Sequence, residues 1–207
     1  MSKFENFMTR DCLVPLIELE DFTPAYKTLA EENIKRTGRL ANSAKAMAHG
    51  EELALAARTF FTVVGAGGSL GPELALLIRL VVSNLKSCVY CTTHQVKALV
   101  QMGLTEEKIK NIHIFETHPA FSKEERVALA FAAALTLDSS NIADDICARF
   151  KATFSPKQRV EIALVAGAMA FFNGFNDGLR VPMEEWALDV AKAVADSFED
   201  QNTLLPG

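Results

Sequence analysis

The sequence has no surplus of basic residues to offer a polyanion. It carries 21 Lys and Arg against 26 Asp and Glu, a formal net charge of −5. That balance argues against nucleic acid or an anionic membrane surface as a partner, since both reward a basic face. The opening Met1-Ser2-Lys3-Phe4-Glu5 lacks the basic and then apolar run of a secretory leader. No apolar run reaches the ~18 uninterrupted residues that a membrane-spanning helix needs. These absences predict a cytoplasmic protein that engages neither nucleic acid nor membrane. Strand signals are missing as well. No stretch alternates apolar and polar residues between turn signals, so no β-strand is expected.

Cysteine is sparse. Four occur, and only Cys88 and Cys91 form a C-x-x-C pair. Cys12 and Cys147 read as small buried hydrophobes. Structural zinc wants four closed ligands, and no second C-x-x-C is present. His113 and His118 have the inner spacing of a histidine pair but lie further from Cys91 than a zinc finger allows. The glycine-rich Gly65-Ala66-Gly67-Gly68-Ser69-Leu70-Gly71 lacks a following Lys-Ser/Thr and follows a helical pattern, so it reads as an inter-helix loop rather than a phosphate cradle. Neither metal nor cofactor is expected.

What is present is helix. Apolar residues make up 49% and charged ones 23% of 207 residues, enough for one globular core. Residues 1–24 read as an irregular arm with room for a helical turn, and Tyr26 to Lys35 as a helix ending near Gly38. A short helix over Asn42 to His49 and a longer one over Glu51 to Val64 follow. Pro72 opens Glu73 to Leu85, and the cysteine helix runs to Met102, with Gly103 as its stop. Thr105 caps a short acidic-led helix. Ser122 with Glu125 is a capping box for a helix to about Leu137, and Ala143 to Phe154 is another. Ser155-Pro156-Lys157-Gln158 opens an apolar helix that Asn176-Asp177-Gly178 ends, and Pro182 opens the last helix, to about Phe198. The expected fold is all-α, a single-domain bundle of about eight helices. It divides into an arm and first helix at 1–34, a helical domain at 35–185, and a C-terminal helix and tail at 186–207.

The chain is organised around Ser87-Cys88-Val89-Tyr90-Cys91-Thr92-Thr93-His94. Ser87 as N-cap puts Cys88 in the first turn of a helix, where the dipole favours a thiolate. Cys91 lies one turn on. One thiol can attack a sulfenic acid or mixed disulfide at the other, the behaviour of a dithiol redox centre. Half a zinc site and an inert buried pair are the competing readings. In a reducing compartment a C-x-x-C pair is more often catalytic than structural. His94 shares a helix face with Cys91 and titrates near neutrality, which suits a proton shuttle.

The run from Gly68 through Gly103, the stretch Phe121 to Phe131 and the closing Phe171-Phe172-Asn173-Gly174-Phe175-Asn176-Asp177-Gly178-Leu179-Arg180-Val181-Pro182 resemble the carboxymuconolactone decarboxylase and alkylhydroperoxidase D-like superfamily, over roughly residues 35–185. The resemblance implies an alkylhydroperoxidase D-like helical fold assembled as trimers or hexamers. In the thiol-active branch it also implies peroxide reduction, with re-reduction by a thiol protein or small thiol. Carried across, Cys91 is the peroxide-attacking thiol, Cys88 its resolving partner, and His94 part of a proton relay ending at a glutamate. The sequence departs from the pattern twice. Two residues rather than three separate Cys91 from His94, and Leu76 stands where the family glutamate lies, leaving Glu73 as the nearest replacement. The helix-terminus argument activates Cys88, while the resemblance and His94 favour Cys91. The expected function is a thiol-dependent peroxidase or disulfide oxidoreductase. The alternatives are a lactone decarboxylase, which has no use for a dithiol, and a non-enzymatic redox-sensing oligomer. Residues 160–175 and Glu73 to Leu85 hardly show a polar face, which points to a homo-oligomer.

Overall fold

The computed structural model describes residues 2–199. Among them lie α1 (Lys3–Thr9), α2 (Pro24–Thr37), α3 (Asn42–Met47), α4 (Glu51–Gly65), α5 (Pro72–Leu85) and α6 (Val89–Gln101). There follow α7 (Glu106–Lys110), α8 (Lys123–Leu137), α9 (Asp144–Thr153), α10 (Pro156–Gly178) and α11 (Leu188–Glu199), with short 3-10 turns between several of them and no strand among the described residues. The fold is all-α, as expected.

Helix α5 lies at the centre, against α6, α8 and α10. Its Ala75, Leu77, Ile78 and Val82 are fully buried. A buried Leu or Ile contributes about 1.5–3 kcal/mol through area removed from water, so this helix needs no polar face. The capping boxes at Ser122/Glu125 and Ser155/Gln158 form as the sequence indicates.

Three expectations change. The N-terminal arm contains α1, held by a capping box in which the Ser2 hydroxyl accepts from the Glu5 N–H and the Glu5 carboxylate accepts from the Ser2 N–H. It packs on α11 and buries Phe7. Second, α10 does not stop at Asn176 but runs through Asp177 to Gly178. Burial of Asn173 and Asn176 in the bundle outweighs their weak helix propensity. Third, Pro182 opens no helix. Residues 182–184 are non-helical, Glu185–Ala187 form a 3-10 turn, and α11 begins at Leu188.

Apolar side chains remain uncovered on two helices that touch each other. They are Leu53, Phe60 and Val63 of α4 and Val160, Leu164 and Phe171 of α10. The stretch Asn42–Leu70 is apolar enough by composition to match a spanning helix, with a mean hydropathy of 1.4. It is interrupted by the turn Ala48–Gly50 and by Glu51, Glu52 and Arg58. Its α3 part is buried, and its α4 part is an amphipathic surface helix with an open apolar side.

Candidate active site

The turn between α5 and α6 sets the cysteines. Ser87 adopts φ 53°, in the left-handed region. The N-cap is therefore Cys88 rather than Ser87, and the Cys88 Sγ accepts from the Cys91 N–H at 3.3 Å. The helix-terminus argument for Cys88, set aside in favour of Cys91, meets an opposing effect in burial. Cys88 is 0% exposed, and loss of water pushes its thiol well above its ordinary range. The hydrogen bond with the Cys91 side chain and the negative charges at Cys91 and Asp177 push the same way, against the pull of the Cys91 N–H alone. Desolvation outweighs the helix terminus.

Cys91 faces a cavity of about 210 Å³ that Cys88 does not line. The Asn176 Nδ2 donates to Cys91 Sγ at 3.2 Å, and the Phe172 carbonyl lies 3.8 Å from the same sulfur. Behind Cys88, Asp177 receives its thiol hydrogen bond and pairs with Arg10 at 3.5 Å. Burial raises the Asp177 carboxyl, which those two partners only partly offset. Cys12 is half-buried near the Leu179 carbonyl and Cys147 is exposed, so the simple core reading fails for Cys147.

His94 also lines the cavity, one turn along α6 from Cys91. Its Nε2 lies 2.9 Å from Glu184 Oε2. The other carboxylate oxygen accepts from the Tyr90 hydroxyl at 2.7 Å and the Asn42 N–H at 2.6 Å, and the Tyr90 oxygen accepts from the Ser43 N–H at 3.1 Å. Burial works to raise the Glu184 carboxyl, but the hydrogen bonds and charge from His94, then Asn42 and Tyr90, hold it below the usual range. His94 stacks on Tyr90 at 4.5 Å and meets the edge of Trp186 at 5.3 Å, so its ring plane is fixed.

Glu73 is not part of this group. It sits in the first turn of α5, at the end away from the cysteines, half-exposed and bonded to Lys108 at 3.0 Å. A straight α5 keeps it there, since each residue adds 1.5 Å of rise. Nothing in the sequence ties Glu184 to His94, 90 positions earlier. The only local signal is an acidic residue placed between Pro182 and Trp186. Asn176 reads in sequence as a helix stop, which hides its place at the thiol.

Among the described residues no group of three or more His, Cys, Asp or Glu side chains could hold a metal ion, and His113 and His118 do not join the cysteines. The glycine-rich loop keeps Gly67 at φ 80°, where a Cβ would meet the Gly71 carbonyl at 2.2 Å. The Ser69 N–H there already donates to the Glu161 carboxylate, so the loop binds its own helix α10.

The profile of the Carboxymuconolactone decarboxylase family matches residues 51–134, a segment that includes Cys88, Cys91 and His94. Over that segment the chain is similar to the Carboxymuconolactone decarboxylase family. It is also similar to the uncharacterized protein YdfG of Bacillus subtilis, 26% identical over 47% of this chain and 67% of that one. Its fold resembles the debrominase Bmp8 in a cysteine-to-alanine variant holding 2,3,4-tribromopyrrole. The TM-score there is 0.78 and the identity 21%, covering 92% of this chain and 98% of that chain. An uncharacterized peroxidase-related protein of Ralstonia eutropha with the AhpD core gives a TM-score of 0.73 at 16% identity, covering 86% and 94%. The family segment ends well before Glu184, which explains why a resemblance through the cysteine motif does not locate that residue.

Proposed function

We propose that the protein is a thiol-dependent peroxidase in which Cys91 attacks, Cys88 resolves, and His94 held by Glu184 moves the protons. The observation that carries this reading is a dithiol with only one sulfur open to a cavity, beside His94 in the same wall and the buried Glu184 that holds it from behind. The Cys91 thiolate forms an S–O bond to the distal oxygen of the hydroperoxide. The O–O bond breaks, and the alcohol leaves with a proton from His94. The Cys88 thiol gives its proton to Asp177 and attacks the sulfenic acid, the S–O bond breaks, the departing hydroxide takes up that one proton to leave as water, and a Cys88–Cys91 disulfide remains. An external dithiol, protein or small molecule, restores the pair at the expense of its own oxidation. A cytoplasm, where such reductants are plentiful, suits this cycle. Glu73 takes no part.

One equivalent of peroxide is expected to convert the reduced protein to a Cys88–Cys91 disulfide that dithiothreitol reverses. Peptide mapping by mass spectrometry reads the bridge. A bridge to Cys12 or Cys147, or two free thiols, removes the redox cycle. Before oxidation, Cys91, which borders the cavity, should alkylate faster than Cys88, whose thiol burial raises and which does not border the cavity.

A second reading is reductive dehalogenation, favoured by the likeness in fold to the debrominase Bmp8. A dithiol can supply two electrons to a carbon–bromine bond, giving C–H, bromide and the same disulfide. Bromide release from 2,3,4-tribromopyrrole, set against alcohol formation from cumene hydroperoxide, separates the two. A redox sensor would form the disulfide once without turnover, and a lactone decarboxylase would work with both cysteines alkylated.

The uncovered side chains of α4 and α10 support a closed homo-oligomer, a trimer or hexamer. Light scattering at micromolar concentration is expected to give a multiple of 22.6 kDa. Phe60→Glu or Leu164→Glu should shift that mass downward, and a fully active wild-type monomer would sink the proposal.

A further inference from the structure

The cavity in front of Cys91 has an unusual charge for this acidic chain. Arg36, Arg39, Arg58, Arg79 and Lys97 line it, and no Asp or Glu does. Lys97 is met by Asp189 at 3.5 Å, Arg39 lies over the Trp186 ring at 4.0 Å, and Arg36 donates to Asn33 Oδ1 at 2.7 Å. Among the described residues no carboxylate pairs with Arg36, Arg58 or Arg79. Glu184 sits behind His94 and Tyr90 with both oxygens engaged.

Arg79 occupies a built position. Its guanidinium lies 5.3 Å from the Phe61 ring centroid, and a Cβ at Gly65 would fall 2.9 Å from its Nη1, so the glycine makes the room. Its Nε is buried with no hydrogen-bond partner among protein atoms of the described residues. Burial, and then the charge of Arg36, bring Arg79 down to about 10; burial also lowers Arg58, with Arg36 adding to the fall against the pull of Tyr26 and Tyr90. Arg36 therefore acts on both other guanidinium groups, and Arg58 borders the Tyr90 that leads to Glu184 and His94. Like charges gathered in a partly dry space repel one another, and an anion in bidentate contact offsets that cost. A volume of about 210 Å³ is below the roughly 300–1,000 Å³ of drug-sized sites, so the occupant is small.

We propose that this cavity recognises a small organic anion, a hydroperoxide carrying a carboxylate, with the carboxylate on Arg36, Arg58 and Arg79 and the peroxide at Cys91. The choice of reactive end rests on the peroxidase reading; the carboxylate site does not. The electron balance is that given above: two electrons from the dithiol cleave O–O, yielding the hydroxy acid and water.

Two measurements on the full-length reduced protein test it. Calorimetric titration with benzoate, which has the carboxylate and no peroxide, is expected to show saturable binding that benzamide does not share. Arg79→Met and Arg36→Gln should each weaken it about tenfold to hundredfold, the range for losing one charged hydrogen-bond partner. Arg36 is exposed, so its variant reports even if Arg79→Met misfolds. In turnover, the ratio of kcat/KM for para-carboxylated cumene hydroperoxide to that for cumene hydroperoxide should exceed about ten, and the same substitutions should reduce that ratio toward one. Equal binding of benzoate and benzamide, or benzoate binding indifferent to both substitutions, overturns the anion site while leaving peroxide turnover intact. Arginine-dependent benzoate binding without turnover of either peroxide upholds the anion site and overturns the peroxidase reading.

Discussion

Cys91→Ser is expected to lower peroxide turnover by about three orders of magnitude or more, the scale for removing the nucleophile of a covalent mechanism. Cys88→Ser should fail differently. Its Cys91 thiol still opens on the cavity, so one equivalent of peroxide should be consumed per subunit and a sulfenic acid should accumulate, trappable by dimedone and read by mass spectrometry. The asymmetry follows from burial. Both sulfurs are out of bulk water, at 0% and 2% exposure, but Cys91 alone borders the cavity and takes the Asn176 N–H. If Cys88→Ser loses the first equivalent and Cys91→Ser retains it, the assignment of the two thiols is reversed.

His94→Ala should slow the reduction about hundredfold, the lower range for losing a general acid–base group. Glu184→Gln keeps an acceptor for the Tyr90 hydroxyl and the Asn42 N–H, so the fold survives, while the His94 ring loses its charged partner. A loss of roughly tenfold to hundredfold is expected, with the shoulder of the pH–rate profile displaced. The two side chains act as one unit, so the double variant should be little worse than His94→Ala alone. Glu73→Gln serves as the control. Its carboxylate meets Lys108 on the surface, and turnover should stay within about twofold, the range of a weak exposed ion pair. A collapse of rate in Glu73→Gln with an indifferent Glu184→Gln would return the relay to the position the sequence pointed to. Additive losses in the double variant would separate His94 from Glu184.

The sequence by itself determined the local parts. Hydrophobic period, capping boxes and glycine stops place α5, α6 and α8 almost to the residue, because each signal is carried within one or two turns of the chain. The C-x-x-C pair and His94 are equally local, since three residues on a helix always share a face. The capping box at Ser2 and Glu5 was present in the same terms and shows that α1 is legible too. Only the tertiary structure decided which partners those residues meet. Cys88 is closed off inside the bundle, where it meets Asp177 of α10, itself paired with Arg10 from the other end of the chain. The glutamate beside His94 comes from a non-helical segment 90 positions later, and Asn176 reaches Cys91 because burial carries α10 past residues that end a helix when exposed. Arg36, Arg58 and Arg79 of the cavity come from α2, α4 and α5, in a chain of net negative charge. Charge counted along a sequence says nothing of where folding gathers it. Desolvation and long-range pairing are properties of the packed bundle, and they set both the reactivity of the thiols and the character of the space in front of them.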